Sequence, residues 1–290
     1  MNDFLVKEDN RWLVLLDGEY VPVDIGLSRE RLTPVDSAFA VVPAQFWDDG
    51  NARPPILTPP SVSPALSSKI PPRDQLGRAT CVAFASVAAI ELRAIRSGKL
   101  LNLSPEYAYS LFSQAPGLGS VAKAMSVLTK SGVCEEQYCP YGSRGPWPGA
   151  RMQAKFGISD YFLIDRKPSD RVDCSEAPCE YGPDVTNTAF LECILAQDFE
   201  IIISLNFAFK TARNDLIFDP EPDPQRPCLS MKTGAHAMVI VGYDRSSKPY
   251  FVCRNSNATF HEHMSVSYDA IRALALSGAV VMGISQNMPP

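Results

Sequence analysis

The hydrophobic pattern changes character along this chain, from helical periods in the first half to strand-like runs in the second. A polar, glycine-containing loop from Asp74 leads into a run starting at Cys81, where Ala83, Val87, Ile90 and Ala94 recur at helical spacing. Thr80 is the predicted N-cap and Gly98 the predicted terminator. Arg93, Arg96 and Lys99 place positive charge at the end of the helix where its dipole favours it. Ser104 and Pro105 predict the cap and first position of a second helix, and Ser120 and Gly132 bracket a third. Further on, the pattern predicts a helix over 187–197 and strands over 200–207, 237–242, 250–254, 264–267 and 279–285. A short helix is expected near 268–277. Helices first and strands later describe an α+β protein in two packed halves.

The flanks and connections read differently. Residues 12–23 predict a hairpin around Asp17-Gly18, with Pro22 marking an edge strand. Seven prolines between 51 and 72 make that stretch extended, neither helix nor central strand. Residues 144–183 and 210–233 are polar and rich in proline or glycine, and read as long surface loops. Residues 1–60 are therefore taken as an N-terminal extension with a hairpin and a Pro-rich linker. An isolated hairpin could not bury its apolar positions, so it is expected to dock on the rest of the chain or on a partner, with the addition of edge strands to the C-terminal sheet preferred over an extension that runs across the main domain.

At 290 residues the chain can bury a substantial core, and its 46% hydrophobic and 20% charged fractions are ordinary for a globular protein. A net charge of −5 without a long basic run argues against nucleic acid as a partner. No window is long enough to span a membrane, and the first residues lack a secretory pattern, so a cytoplasmic location is the default expectation. Eight cysteines are present, with Cys134/Cys139 and Cys174/Cys179 sharing one spacing. That spacing and the lack of a nearby histidine argue against zinc, and free thiols are expected in a reducing compartment. No metal or cofactor is implied.

Cys81 stands at the start of its helix, where unpaired N–H groups and the helix dipole favour a thiolate. Any single cysteine is more simply a small packing residue. Gln75, six residues upstream, changes that weighing, because its amide can turn back toward the sulfur. Three histidines exist. His236 opens an apolar run ending at Gly242, whereas His261 and His263 open none. A strand-like run from Tyr250 ends at Asn255-Ser256.

These segments resemble the papain-like cysteine peptidases. That family has Gln six positions before the nucleophile, Cys followed by Ala-Phe (here Ala83-Phe84), a His-Ala segment running to Val-Gly-Tyr, and Asn-Ser. The resemblance covers roughly 61–284. It implies a papain-like α+β fold, with a helical half at about 73–140 and a β-barrel-like half at about 185–290 in a catalytic domain of 61–290. It also implies a peptidase in which Cys81 attacks, His236 shuttles protons as an imidazolium partner, Asn255 orients His236, and Gln75 helps hold the oxyanion. Gly119 falls where the family places a substrate-pairing glycine. The implied partner is a peptide or protein substrate. Three departures stand out. Val82 replaces the Trp after the nucleophile, and Arg78 or a neighbour replaces a loop cysteine, removing a disulfide. Asn257 replaces a Trp that shields the Asn–His bond, so a wetter, weaker bond is expected. An acyltransferase or amide ligase on the same scaffold would use the same nucleophile, and a binding protein with a degenerate site is the third reading.

Overall fold

Cys81–Arg96 form helix α1, buried around most of its circumference as its apolar composition demands. Burying Val87, Ile90 and Leu92 contributes about 1.5–3 kcal/mol each. The helix stops at Ser97, and Gly98 takes a φ of +79°, a left-handed conformation that glycine adopts without a Cβ penalty. α2 (Pro105–Phe112) and α3 (Val121–Ser131) pack against it. Their expected caps work as read: Ser104 Oγ accepts from Tyr107 N–H at 3.0 Å, and Ser120 Oγ from Lys123 N–H at 3.1 Å. The computed structural model describes residues 58–112, 120–143, 149–166, 184–207, 217–219, 234–257 and 262–286, and the backbone of three strands upstream of them.

Those three strands, β1 (Leu5–Glu8), β2 (Arg11–Leu16) and β3 (Glu19–Val23), form an antiparallel sheet in that order. The β2–β3 pair is the expected hairpin, but it is not an addition to the larger sheet, because β2 takes β1 and β3 as its neighbours. The strand that joins the larger sheet from this side is β4 (Ser61–Val62).

The larger sheet contains β5 (Phe156–Asp165), β6 (Ile201–Phe207), β7 (Ile217–Phe218), β8 (Gly234–Asp244), β9 (Tyr250–Arg254), β10 (His263–Ser267) and β11 (Ala275–Gln286). Its order is β5-β11-β6-β8-β9-β10-β7, antiparallel except for the β7–β10 pair. Two short helices, α4 (Thr188–Ala196) and α5 (Tyr268–Leu274), cover one face. Helices α1–α3 cover the other, so β8 is buried on both sides: Ala237, Val239 and Val241 meet α1, while Met238 and Ile240 belong to the opposite cluster.

β5 is a correction to the sequence reading, which placed 144–183 in loops. Gly157, Ser159 and Asp160 interrupt its apolar alternation, and the strand is held by pairing along β11 from Phe156 to Asp165. That register shifts at Gly283, opposite Asp160. β7 likewise lies within a stretch read as loop.

β6 pairs with β8 only as far as Ile240, and β4 takes over that edge at Tyr243 and Asp244. The residues before β4 are fastened to the same end. Tyr243 OH donates to Pro59 O at 2.8 Å, Arg245 N–H to Pro60 O at 3.0 Å, and Thr58 Oγ1 to Glu192 Oε2 at 3.0 Å. Among the described residues, Thr58, Pro59 and Pro60 already contact the body. Gly242 makes room for this strap, since a Cβ there would lie 2.3 Å from Val62 O. Gly242→Ala should therefore destabilise the fold by about 1–3 kcal/mol. Denaturant unfolding measures it, and an unchanged midpoint would mean that β4 sits elsewhere in solution.

Candidate active site

Cys81 is the first residue of α1 and fully buried at the helix start. Thr80 is the N-cap by position, but its side chain makes no cap bond; its Oγ1 shares a hydrogen bond of 2.7 Å with Tyr141 OH instead. The loop ahead of Cys81 is pinned at several points. Arg73 donates to Glu91 Oε1 at 2.7 Å, and the same oxygen accepts from Leu103 N–H at 2.7 Å. Burial raises the Glu91 pKa, with Arg73 opposing it. Gln75 N–H donates to Ser256 O at 2.6 Å, and Ser256 Oγ donates to Gln75 Oε1 at 2.7 Å. Gln75 Nε2 donates to Arg78 O at 3.0 Å.

Between Gln75 and Arg78 the backbone is strained. Leu76 has a φ of +55°, a conformation that costs a residue with a Cβ about 1–2 kcal/mol. Its N–H donates to Asp74 Oδ1 at 2.8 Å, and its side chain is exposed, so packing does not explain the strain. Strain of this kind gathers at functional sites. No sequence signal marked it.

His236 lies at the start of β8, and Asn255 directly follows β9. They meet through Nε2···Oδ1 at 2.8 Å, with both side chains buried. The Asn255 amide is oriented by its other contacts. Its Nδ2 donates to Asn257 O at 3.4 Å and lies 3.4 Å from Met264 Sδ, while Oδ1 also accepts from Asn257 N–H at 3.3 Å. The wetter bond expected from Asn257 is not what the structure has. Asn257 is itself buried, and Met264 on β10 supplies apolar cover that no local motif announced. Because Gln75 bonds to Ser256 and His236 to Asn255, two adjacent residues join the loop ahead of Cys81 to β8. Gly119 and His261 lie outside the described residues. His263 bonds to Ser67 Oγ at 3.0 Å, away from Asn255 Oδ1.

Burial pushes the His236 pKa down from 6.5 to about 4, with the Asn255 bond pulling the other way. Burial thus works against the charged ring that the sequence reading expects. A depressed histidine pKa adds stability that is complete above 6.5 and declines as the pH falls toward about 4. For turnover, the acid limb of the kcat/KM profile should likewise lie below 6.5, on the side of 4. A limb at or above 6.5 would show that the working enzyme charges this ring readily.

Three of the other described thiols are poor rivals for Cys81. Cys253 is fully buried mid-strand and burial raises its pKa. Cys134 and Cys139 are buried and unbridged, their pKa values raised to about 12 and about 11 chiefly by burial. Cys174 and Cys179 lie outside the described residues. Among the described residues no cluster of three or more His, Cys, Asp or Glu could hold a metal, and no helix is long and apolar enough to cross a membrane.

The sequence matches no protein-family model and no curated protein. Solved structures do match. Xylellain, a cysteine protease from Xylella fastidiosa, is 21% identical with a TM-score of 0.59, over 77% of this chain and 86% of that one. The Carica candamarcensis cysteine protease CMS1MS2, solved with E-64, is 21% identical with a TM-score of 0.56, over 79% and 99%. The clostridial cysteine protease Cwp84 is 14% identical with a TM-score of 0.56, over 79% and 58%. With the helix that starts at Cys81 laid on a mostly antiparallel sheet, and these structures superimposing on most of it, the chain has the α+β fold of the papain-like cysteine proteases.

Proposed function

We propose that this protein is a cysteine peptidase that cleaves peptide bonds through a thioester on Cys81. The observation that carries the reading is the buried 2.8 Å bond between His236 Nε2 and Asn255 Oδ1. It fixes the ring and its tautomer: Asn255 Oδ1 accepts, Nε2 carries the proton, and basic chemistry falls to Nδ1. A buried histidine oriented this way suits a general base better than a packing residue.

In this mechanism His236 Nδ1 takes the Cys81 proton as the sulfur attacks the substrate carbonyl. The carbonyl electron pair moves to oxygen, where the Gln75 side-chain N–H and the Cys81 backbone N–H hold it. The tetrahedral adduct collapses, the C–N bond breaks, and His236 returns the proton to the leaving amine. Water, deprotonated by His236, then cleaves the thioester and restores the thiol. A neutral resting ring is compatible with this sequence, because charge develops on it only as sulfur loses its proton.

Incubation with a mixed peptide library, with and without an added amine, tests the reading. Hydrolysis products unaffected by the amine are expected. Products carrying the amine would assign acyl transfer instead, and intact peptides under both conditions would reject the proposal.

A further inference from the structure

Gln75 reaches the reaction only if its amide points at the substrate oxygen, and its own bonds show what sets that direction. Nε2 has two hydrogens. One goes to Arg78 O, so the position of the Arg78 carbonyl determines where the other points. Arg78 is in turn gripped by its side chain. Its guanidinium makes two bonds to the Glu106 carboxylate on α2, Nη1 to Oε2 and Nη2 to Oε1, the second at 2.8 Å. Glu106 Oε2 also accepts Gly142 N–H at 3.0 Å. Tyr141 stands under the guanidinium, 4.8 Å from ring centre to Cζ, and its OH donates to Gln75 O at 2.6 Å. Phe84 of α1 meets that ring edge-on at 4.7 Å.

A bidentate carboxylate pair fixes the plane of a guanidinium as well as its distance. The Arg78 side chain is 36% exposed while Glu106 is buried, so solvent screens the pair only from the arginine side. We propose that the Arg78–Glu106 pair, seated on Tyr141, aims the Gln75 amide at the nascent oxyanion, which makes Arg78 and Glu106 positioning residues for acylation of Cys81. This rests on reading Cys81 as the nucleophile and Gln75 as the oxyanion donor. Burial opposes ionisation of Glu106, yet the Arg78 bonds and the Gly142 N–H keep its pKa below the ordinary value, so the pair stays charged at neutral pH.

The test compares two reactions of the full chain at the same sulfur. With p-nitrophenyl acetate, sulfur adds to the carbonyl, an oxyanion forms, and the C–O bond breaks to release nitrophenolate. With iodoacetamide, sulfur displaces iodide from a saturated carbon and no oxyanion forms. Glu106→Gln and Arg78→Met should slow acylation by about 10- to 100-fold, as expected for a misdirected donor, with KM changed much less. Alkylation should stay within about twofold of the parent, and in a Gln75→Ala background Arg78→Met should add less than about twofold, because the shared effect is already lost. Arg78→Lys, which keeps the charge without the fork, should recover part of the rate. Unchanged acylation, an equal loss in the Gln75→Ala background, or alkylation slowed in parallel would overturn the proposal. If Cys81→Ala is acylated as fast as the parent, the underlying reading of the site fails, and that result is distinct from the others.

Discussion

Replacing Cys81 with alanine is expected to abolish peptide turnover and to eliminate covalent labelling by E-64, the compound bound in the Carica protease structure. The expectation is large because in the proposed mechanism the sulfur is the atom that bonds to substrate, and no other group takes that role. Mass spectrometry of the labelled chain would find a single adduct on a peptide containing Cys81. Cys253→Ala should label like the parent, since that thiol is sealed in β9 with a raised pKa. An adduct that persists in Cys81→Ala and disappears in Cys253→Ala would move the nucleophile to the wrong strand and reject the assignment.

Gln75→Ala should lower kcat by about 10²–10³-fold with little change in KM, the usual consequence of removing one oxyanion donor, worth about 2.7–4 kcal/mol. The substitution leaves Cys81, His236 and Asn255 in place, so sulfur alkylation should survive it. Because Gln75 also bonds to Ser256 and Arg78, a modest loss of thermal stability is expected alongside. Steady-state kinetics decides: a kcat within about threefold of the parent would mean that another donor holds the oxyanion.

Much of this site was legible before any coordinates, because its residues sit where local rules are strong. Cys81 follows a polar loop at a helix start, and His236 opens a buried run. Helices α1 to α3 carried caps and terminators that hold in the structure, apart from the Thr80 side chain, which a tyrosine 61 residues away recruits instead. What stayed hidden depends on partners distant in sequence. β5 contains glycine, serine and aspartate, and only its neighbour β11 makes it a strand. Met264 covers Asn255 from β10, where no periodicity could announce it. Arg78 reads as an ordinary loop arginine until α2 brings Glu106 to it. The burial that works against a charged His236 ring was hidden for a related reason. Burial is a property of the assembled interior, and it outweighs the single bond that favours the charged ring.

Among the described residues, the support of Gln75 consists of a guanidinium, a carboxylate, a phenol, a serine hydroxyl and backbone groups, and contains no sulfur. Oxidant and reductant should therefore act on the nucleophile without loosening the groups that face its substrate. Mild oxidation of Cys81 to a sulfenic acid would silence the protein with its oxyanion loop intact, and a thiol reductant should restore full activity without a refolding lag.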